Sequence, residues 1–361
     1  MKQTILNAEH RRLGATLVEF AGWEMPVSYS GILEEARAVR QAAGLFDVSH
    51  MGVLQLCGTN ARAELEHLVT CALRDLPVGR VRYGLMLAPN GGVLDDLLIY
   101  SLASDDLWVV ANAANASRDL QWIQEHVSPG VQVTPHFGEV AILALQGPRA
   151  LGIAGAATGQ EFTTLRRFGF ARWSFDGAEV ITSRTGYTGE DGLEFFCPAG
   201  KALALWERLL DAGRDSGLLP CGLGARDVLR IEAGNALYGH EVNEETNPVE
   251  AGLMWAVNLD KGDFVGREAV LDARSAPSTR RLTGLVMEEK AIPRQGAPAG
   301  TDTEATGVVT SGTFSPALDR GIALAYLPPE EAVPDRAAWV ELRGRRRRAR
   351  VASLPFVQRK R

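Results

Sequence analysis

The stretch "RYGLMLAPNGGVLDDLLIYSLASDDLWVVANAAN" (Arg82–Asn115) decides the fold class. It contains three strand-like apolar runs joined by polar turns, and the turn "APNGG" is typical of a β-hairpin. Helical patterns lie between such strands elsewhere, as in "ILEEARAVRQAAG" (Ile32–Gly44), where Gly44 is the predicted C-terminal cap. Because hairpins make neighbouring strands antiparallel, the sequence predicts an α+β fold and not a doubly wound parallel sheet.

The residue pattern of the sequence changes at about residue 280. From there to the C-terminus, short strands alternate with Gly, Pro and Ser turns, without helical periodicity. This pattern predicts a separate all-β domain at 280–361, a small barrel or jelly roll, after a region at 1–275. The segment "DARSAPSTR" (Asp272–Arg280) is the predicted linker.

Composition narrows the class of protein. The chain of 361 residues is 46% apolar and 23% charged, which is typical of soluble globular proteins. No apolar run reaches the roughly 18 residues that span a bilayer. The N-terminal "MKQTILNAEHRRLG" lacks the apolar centre of a secretory signal. We therefore expect a cytoplasmic protein that does not bind a membrane.

Cysteine and histidine usage argues against a disulfide framework and a metal site. Four cysteines (Cys57, Cys71, Cys197 and Cys221) form no CxxC pair, and the six histidines form no HExxH motif. Buried free thiols are the simpler interpretation, and no metal ligand is predicted.

A basic cluster, "RGRRRRAR" (Arg343–Arg350), lies between two strand-like runs near the C-terminus. The chain as a whole carries a net charge of −6, so this concentration of arginine is local. An exposed strand or hairpin explains it most simply. A docking surface for an acidic protein partner comes second, and nucleic-acid binding is the least favoured.

Two neighbouring acids, Asp95 and Asp96, lie where a glycine turn leads into an apolar strand. A buried carboxylate is costly unless it is paired or used. Because successive strand residues point to opposite faces, only one of the two is expected in a site. The other is expected to be solvated or structurally paired.

The loop and strand "RTGYTGEDGLEFF" (Arg184–Phe196) are a second candidate ligand-binding segment, since glycines allow close backbone approach. Glu190 and Asp191 flank the turn and are expected to be solvated. Glu194 lies within the alternating run and is a candidate ligand residue. In "GLGARDVLRIEAG", Arg226 opposes the dipole at the start of a helix, which suggests a specific anionic partner.

The segment "FDVSHMG" brings Asp47, Ser49 and His50 close in sequence without indicating a hydrolase triad. Adjacent strand residues face opposite ways, and no GxSxG elbow is present. Met51 is expected either in the core or against an aromatic ligand.

Taken together, the segments resemble one family over almost the whole chain, from about Asn7 to Val357. In order, they are "FAGWEMPV", "GLFDVSHMG", "NGGVLDDLLIY", "VVANAAN", "LALQGP", "SRTGYTGEDGLE", "GLGARDVLRIEAG", "NPVEAGLMWAV", "DFVGREA", "TSGTFSPAL" and "PFV". This ordered set is similar to the T-proteins of the glycine cleavage system, the aminomethyltransferases.

The resemblance implies a tetrahydrofolate-dependent enzyme. In this family, the lipoyl arm of a partner, H-protein, carries an aminomethyl group whose one-carbon unit passes to tetrahydrofolate. The products are 5,10-methylenetetrahydrofolate, ammonia and dihydrolipoyl H-protein. The resemblance also implies a three-domain cloverleaf, here roughly 1–50 with 138–275, then 51–137, then the C-terminal barrel. No nucleic-acid or membrane partner is expected.

The resemblance implies site residues as well. The family's essential aspartate falls on Asp96, facing the pteridine and its N10 side. Glu194 is expected to accept hydrogen bonds from the pterin, and Arg226 to pair with a nearby carboxylate or pterin O4. The remaining residues expected to line the folate pocket are Met51, Tyr83, Val110, Asn112 and Tyr187. An aromatic residue that often follows "PFV" in the family is absent, and Arg359 is expected to meet the folate tail instead.

Alternatives within the same fold remain open at this point. Relatives demethylate sulfonium or methoxy compounds, or form the folate-binding half of sarcosine-type oxidases, where we would expect an attached flavin domain. Non-enzymatic folate-binding relatives in iron–sulfur assembly carry a "KGCYxGQE"-type motif, which this sequence lacks.

Overall fold

The computed structural model describes residues 1–358, and helices and strands are intermixed along them. The strands are β1 (Lys2–Gln3), β2 (Thr16–Phe20), β3 (Trp23–Ser28), β4 (Ala43–Asp47), β5 (Gly52–Gly58), β6 (Val81–Leu87), β7 (Val93–Ala103), β8 (Asp106–Ala111), β9 (Val131–Pro135), β10 (Val140–Gln146), β11 (Phe170–Phe175), β12 (Ala178–Ser183), β13 (Gly192–Pro198), β14 (Leu218–Pro220), β15 (Arg281–Met287), β16 (Pro298–Gly300), β17 (Gly307–Ser315), β18 (Arg320–Leu327), β19 (Ala337–Leu342) and β20 (Arg345–Ala352). The α-helices are α1 (Asn7–Arg12), α2 (Ile32–Gln41), α3 (Ala61–Leu68), α4 (Ala116–His126), α5 (Ala150–Thr158), α6 (Ala202–Gly213), α7 (Leu223–Glu232) and α8 (Arg267–Ser275). Short 3₁₀ helices cover Ala199–Lys201, Arg214–Ser216, Met254–Ala256 and Leu259–Lys261.

These elements form two compact units. The first comprises Met1–Glu66, Ala72–Tyr83 and Leu97–Asp227. The second comprises His67–Cys71, Gly84–Asp96 and the chain from Val228 onward. Along the described residues, no helix is both long and apolar enough to cross a membrane.

A six-stranded sheet in the first unit, ordered β11-β12-β13-β10-β4-β14, provides its largest core. Helices α5 and α6 pack against one face of this sheet, where Leu193 and Phe195 of β13 join the core with Trp206 of α6. Since strand residues alternate, Glu194 lies on the opposite face. The central strand thus directs one carboxylate away from the helices.

The strands predicted in Arg82–Asn115 correspond to β6, β7 and β8. They belong to a second sheet, ordered β6-β7-β8-β5-β9, and β8 is antiparallel to both β7 and β5. The predicted α+β class is confirmed. The cap prediction at Gly44 is wrong, because α2 ends at Gln41 and Gly44 lies in β4. A Cβ there would come within 2.6 Å of both Val39 and Cys221, so close packing explains this glycine.

The C-terminal strands of the second unit close into a barrel, ordered β15-β18-β17-β16-β19-β20, which confirms the barrel alternative. Its interior is apolar and includes Leu285, Val309 and Val340. The predicted linker needs correction, because α8 extends to Ser275 and includes the first residues of "DARSAPSTR".

The basic cluster forms part of an exposed hairpin of the barrel, as the simplest interpretation predicted. Strands β19 and β20 pair around Arg343 and Gly344, which both have positive φ, as a two-residue turn requires. Arg347 contacts Glu289 at 3.1 Å, and Arg350 contacts Glu288 at 2.8 Å. These acids offset part of the cluster's charge, and the docking role stays a prediction.

A buried ion pair joins α7 to the segment before the barrel within the second unit. Arg230 Nη1 donates to Glu241 Oε2 at 2.6 Å, and both side chains are almost fully buried. The Glu241 carboxylate also accepts from Leu237 N and Thr310 Oγ1, and Arg230 also donates to Ser311 Oγ. Removing one partner would leave the other charge buried and poorly compensated.

We therefore expect Glu241→Gln to lower the free energy of unfolding by about 3 kcal/mol, measured by urea denaturation. The control is Glu268→Gln. The Glu268 side chain is 81% exposed in its 2.9 Å pair with Arg267, and its loss should cost less than about 0.5 kcal/mol. Equal losses in the two variants would contradict a dominant role for the buried pair.

Buried histidines occupy the first unit as well. His10 Nε2 lies 2.9 Å from Asp47 Oδ2 with both side chains fully buried, and His10 Nδ1 lies 2.9 Å from Tyr29 Oη. Burial alone would raise the pKa of Asp47, but hydrogen bonds from His10 and Ser49 hold it below its ordinary value. Because Asp47 pairs with His10, and Ser49 Oγ accepts from Ile142 N, these residues do not form a triad with His50.

His50 follows in the turn between β4 and β5. Burial, helped by the positive charge of Arg226, lowers the pKa of His50 from its ordinary 6.5 to about 4. The unfolded chain therefore binds a proton near pH 6.5, whereas the folded protein does so only near pH 4. Between these values, protons favour the unfolded state, so this group makes stability fall as pH decreases.

His50→Gln should remove that component, which amounts to about 3 kcal/mol between pH 7 and pH 4. The free energy of unfolding of the variant should fall less steeply with acid than that of the wild type, measured by urea denaturation from pH 7 to 4. His126→Gln, at an exposed position on α4, is the control and should keep the wild-type slope. Parallel curves for wild type and His50→Gln would contradict a neutral buried His50.

Candidate functional site

The candidate site centres on Glu194. This residue lies on β13, where it is opposite Ser183 of β12 on one side and Ala144 of β10 on the other. Its side chain is 6% exposed. The sheet thus fixes a carboxylate in its interior, on the face opposite the packed helices.

Three buried hydroxyls lead to this carboxylate. Thr185 Oγ1 donates a short hydrogen bond to Glu194 Oε2. Ser183 Oγ lies 2.6 Å from Thr185 Oγ1, and Tyr100 Oη lies 3.0 Å from Ser183 Oγ. The chain of contacts connects β7 to β13 through β12 and the loop that follows β12.

Gln146 holds the glycine-rich loop between β12 and β13. The side chain of Gln146 is fully buried, donates to the carbonyl of Thr185 and accepts from Thr188 Oγ1 at 3.0 Å. A Cβ at Gly186 would lie 1.9 Å from Gln146 Oε1, so a larger residue there would displace the Gln146 amide from its hydrogen bonds. The loop therefore packs against the buried side-chain amide of Gln146.

Two ion pairs tie the same loop. Arg184 contacts Asp191 with two hydrogen bonds, of 3.0 and 2.5 Å, and Arg40 Nη1 lies 2.9 Å from Glu190 Oε1. The prediction that Glu190 and Asp191 are solvated acids is wrong. Both are partly buried structural partners, because the turn packs against α2 through Arg40.

Arg226 of α7 and Tyr187 of the loop form the other side of the site. The Arg226 guanidinium carbon lies 4.6 Å from the centre of the Tyr187 ring. Among the residues that the structure describes, the buried Nη1 of Arg226 has no hydrogen-bond partner, and neither has the buried Nδ1 of His50. A buried donor group beside an aromatic ring is therefore available to a ligand.

The charges of the site influence one another. Burial raises the pKa of Glu194, while the bond from Thr185 and the charge of Arg226 act in the opposite direction. Burial also lowers the pKa of Arg226, against the charges of Glu194 and Tyr187. Glu194 and Arg226 thus stabilise each other's charged forms without a direct ion pair.

The other predicted residues of the first unit lie on strands or strand ends. Val110 is 4% exposed on β8 and pairs with Val53 and Leu98. Met51, Tyr83 and Asn112 are each partly buried. The Asn112 carbonyl accepts from Ala116 N at the start of α4.

Asp96 lies on β7 and is partly buried, whereas Asp95 is fully buried. Of the two expectations for Asp95, burial rules out a solvated acid. Leu98, two residues after Asp96 on β7, pairs with Val110 of β8. Both acids nonetheless belong to one strand, as predicted.

This geometry suits a planar heterocycle with hydrogen-bonding edges. Glu194 can accept from N–H groups, Arg226 Nη1 can donate to a carbonyl oxygen, and the Tyr187 ring offers a flat apolar face. Within residues 1–358, no group of three or more His, Cys, Asp or Glu side chains could hold a metal ion.

Sequence reasoning missed the hydroxyl chain and Gln146. Ser183 and Thr185 are two residues apart and so share a face, which is a signal available in the sequence. Gln146 is a single polar residue at the end of the apolar run "VAILALQ". The contribution of Tyr100 depends on a contact between two different sheets and has no local signal.

Comparison with known proteins gives concordant matches. The GCVT N-terminal domain model matches residues 6–261, and the glycine cleavage T-protein C-terminal barrel domain model matches residues 280–358. An aminomethyltransferase of Chlorobium luteolum is 45% identical over 99% of both chains. One from Symbiobacterium thermophilum is 47% identical over 99% of this chain and 98% of its own.

A solved structure agrees over the same length. The glycine cleavage system aminomethyltransferase T from Bartonella henselae superposes with a TM-score of 0.93 at 36% identity, covering 99% of this chain and 98% of its own. The family models, the curated relatives and this structure all name the same enzyme class. The chain therefore belongs to the glycine cleavage T-protein family, the aminomethyltransferases.

Proposed function

We propose that this enzyme passes the one-carbon unit of an aminomethyl group on lipoyl H-protein to tetrahydrofolate. The products are 5,10-methylenetetrahydrofolate, ammonia and dihydrolipoyl H-protein. The observation that carries the proposal is the buried Arg226 Nη1, which lacks a partner within the described chain, next to the Tyr187 ring and within the electrostatic influence of Glu194. A reduced pterin supplies the matching carbonyl oxygen, ring and N–H groups.

Each proposed contact has a physical role. Glu194 accepts hydrogen bonds from the 2-amino and ring N–H groups, because an anionic acceptor suits that donor edge. Arg226 donates to O4, and Tyr187 and Met51 pack on the ring system. Tyr83, Val110 and Asn112 line the pocket. These contacts orient the folate, which fixes its nitrogens for reaction.

Asp96 is the proposed catalytic residue. One folate nitrogen attacks the methylene carbon as ammonia leaves, and the second folate nitrogen then displaces the lipoyl sulfur from that carbon. Two new C–N bonds thus replace the C–N and C–S bonds that break, and the sulfur takes up a proton to become the thiol of dihydrolipoyl H-protein. Each attacking nitrogen gains positive charge as its bond forms. A carboxylate at Asp96 offsets this charge and takes up the proton that the nitrogen loses. An asparagine amide could keep the hydrogen-bond geometry, but it could neither take the proton nor offset the charge.

The proposed domains follow the sheets. The six-stranded sheet uses residues 43–47 and 140–220, the five-stranded sheet uses residues 52–135, and the barrel uses residues 281–352. This supports domains of roughly 1–50 with 138–275, 51–137 and 280–361. Arg359, expected to meet the folate tail, lies outside the described residues.

Asp96→Asn tests the catalytic assignment. We expect turnover to fall at least about 100-fold, while tetrahydrofolate still binds and the protein stays folded. The assay combines aminomethylated lipoyl H-protein with tetrahydrofolate and follows ammonia release. The control is Asp106→Asn on β8, where the new amide oxygen can still accept the 2.8 Å bond from Gln55. Full turnover in Asp96→Asn would remove Asp96 from its role.

Glu194→Gln tests folate recognition separately. We expect the Kd for tetrahydrofolate to rise about tenfold or more. The glutamine amide has a single, uncharged acceptor oxygen, whereas the carboxylate offers two oxygens that share a negative charge to the two donors of the pterin edge. Titration calorimetry measures this. The control is Glu179→Gln on β12, where the side chain is 62% exposed. An unchanged Kd in Glu194→Gln would contradict the proposed pterin contact.

A further inference from the structure

We propose that Thr185 is a positioning residue for substrate binding, and that Thr185, Ser183 and Tyr100 form a one-way chain of hydroxyl donors, the hydroxyl relay, that fixes Glu194. The relay holds Oε2 of Glu194, while Oε1 takes no part in it and is directed to the substrate. The inference rests on the proposed function, because it names the pterin edge of tetrahydrofolate as the group that Glu194 meets.

The direction of the relay follows from proton counting. Each hydroxyl has one proton to donate, and an ionised carboxylate has none. Since Thr185 donates to Glu194 Oε2, it can only accept from Ser183 across their 2.6 Å contact. Ser183 has then used its proton, so Tyr100 must donate to Ser183 across 3.0 Å. All three protons point toward Glu194.

The relay is dry. Tyr100 and Ser183 are 0% exposed, and Thr185 is 7% exposed. Burial raises the pKa of Tyr100, so this phenol keeps its proton and remains a donor. Aligned hydrogen bonds in a water-poor interior polarise one another, and water cannot readily replace a missing member.

The side-chain hydrogen bonds of the relay are not required to pair β12 with β13. Ser183 and Glu194 are already partners in the backbone ladder between β12 and β13. The side-chain bonds therefore add control over the carboxylate's orientation and charge. Of the charged and titratable groups around Glu194, Arg226 on α7 also favours ionisation, His50 in the β4–β5 turn is neutral, and Tyr100 on β7 remains protonated.

The neighbouring Thr182 provides a matched comparison. It is also fully buried on β12, but its hydroxyl accepts 2.8 Å from Trp173 Nε1 and lies outside the relay. Thr182→Val and Thr185→Val thus each remove a hydroxyl from a buried threonine, at positions three residues apart. Only the second removes a donor to Glu194.

The test measures tetrahydrofolate binding by calorimetry between pH 5.5 and 8, with steady-state kinetics and thermal melting. For Thr185→Val we expect Kd and KM to rise about tenfold with kcat within about threefold of wild type, since one charge-assisted bond is lost. Loss of that donor also raises the pKa of Glu194 further, so weakening of binding by acid should begin at higher pH. Thr185→Ser should restore both properties, and Thr182→Val should leave both unchanged.

The outcomes separate the inference from the proposed function. If wild-type protein does not bind tetrahydrofolate, the proposed function is overturned, together with the ligand named here. If wild type binds and Thr185→Val matches it in Kd and pH profile, the relay is overturned whatever happens to the melting temperature. The relay is also overturned if Thr182→Val weakens binding as much as Thr185→Val.

Ser183→Ala keeps the inference testable if Thr185→Val does not fold. This variant removes the second donor while Thr185 remains. We expect a smaller rise in Kd, about threefold, with a shift of the pH profile in the same direction. An unchanged Kd and profile in a folded Ser183→Ala would overturn the relay.

Discussion

The site depends on a carboxylate buried inside a β-sheet, where its charged form is costly. Glu194 lies on a central strand, and burial alone favours its neutral form. The hydroxyl of Thr185 and the charge of Arg226 favour the ionised form instead. The bond from Thr185 is made to Oε2, so this bond does not use Oε1. The loop packed around Gln146 carries Tyr187, whose ring lies 4.6 Å from the Arg226 guanidinium.

In the second unit, buried charges are compensated by a direct ion pair. Arg230 and Glu241 meet directly, and their remaining hydrogen-bonding capacity is taken up by Leu237, Thr310 and Ser311. A pair saturated in this way has little to offer a ligand. Arg226 has one buried nitrogen, Nη1, without a hydrogen-bond partner in the described chain, and this nitrogen can donate to a ligand. This contrast distinguishes the structural Arg230 from Arg226, the proposed recognition residue four positions earlier in α7.

Sequence reasoning succeeded where a local pattern has a single physical meaning. The Gly, Pro and Ser turns after residue 280 predicted the all-β domain, and the three strand-like runs of Arg82–Asn115 predicted β6, β7 and β8. It failed where a residue's partner is distant in sequence. Gly44 resembled a helix cap, but it is constrained by Cys221, and Glu190 resembled a solvated acid, but it pairs with Arg40.

The barrel's closure limits how other chains can bind to it. Because β20 bonds to β15, the described barrel strands form a continuous hydrogen-bonded ring in which every strand has a neighbour on both sides. An incoming peptide cannot extend such a ring by adding a strand, and neither can a second copy. A partner of this domain would therefore have to be bound by side chains or loops, and in the β19–β20 hairpin it is the exposed arginines that have this capacity.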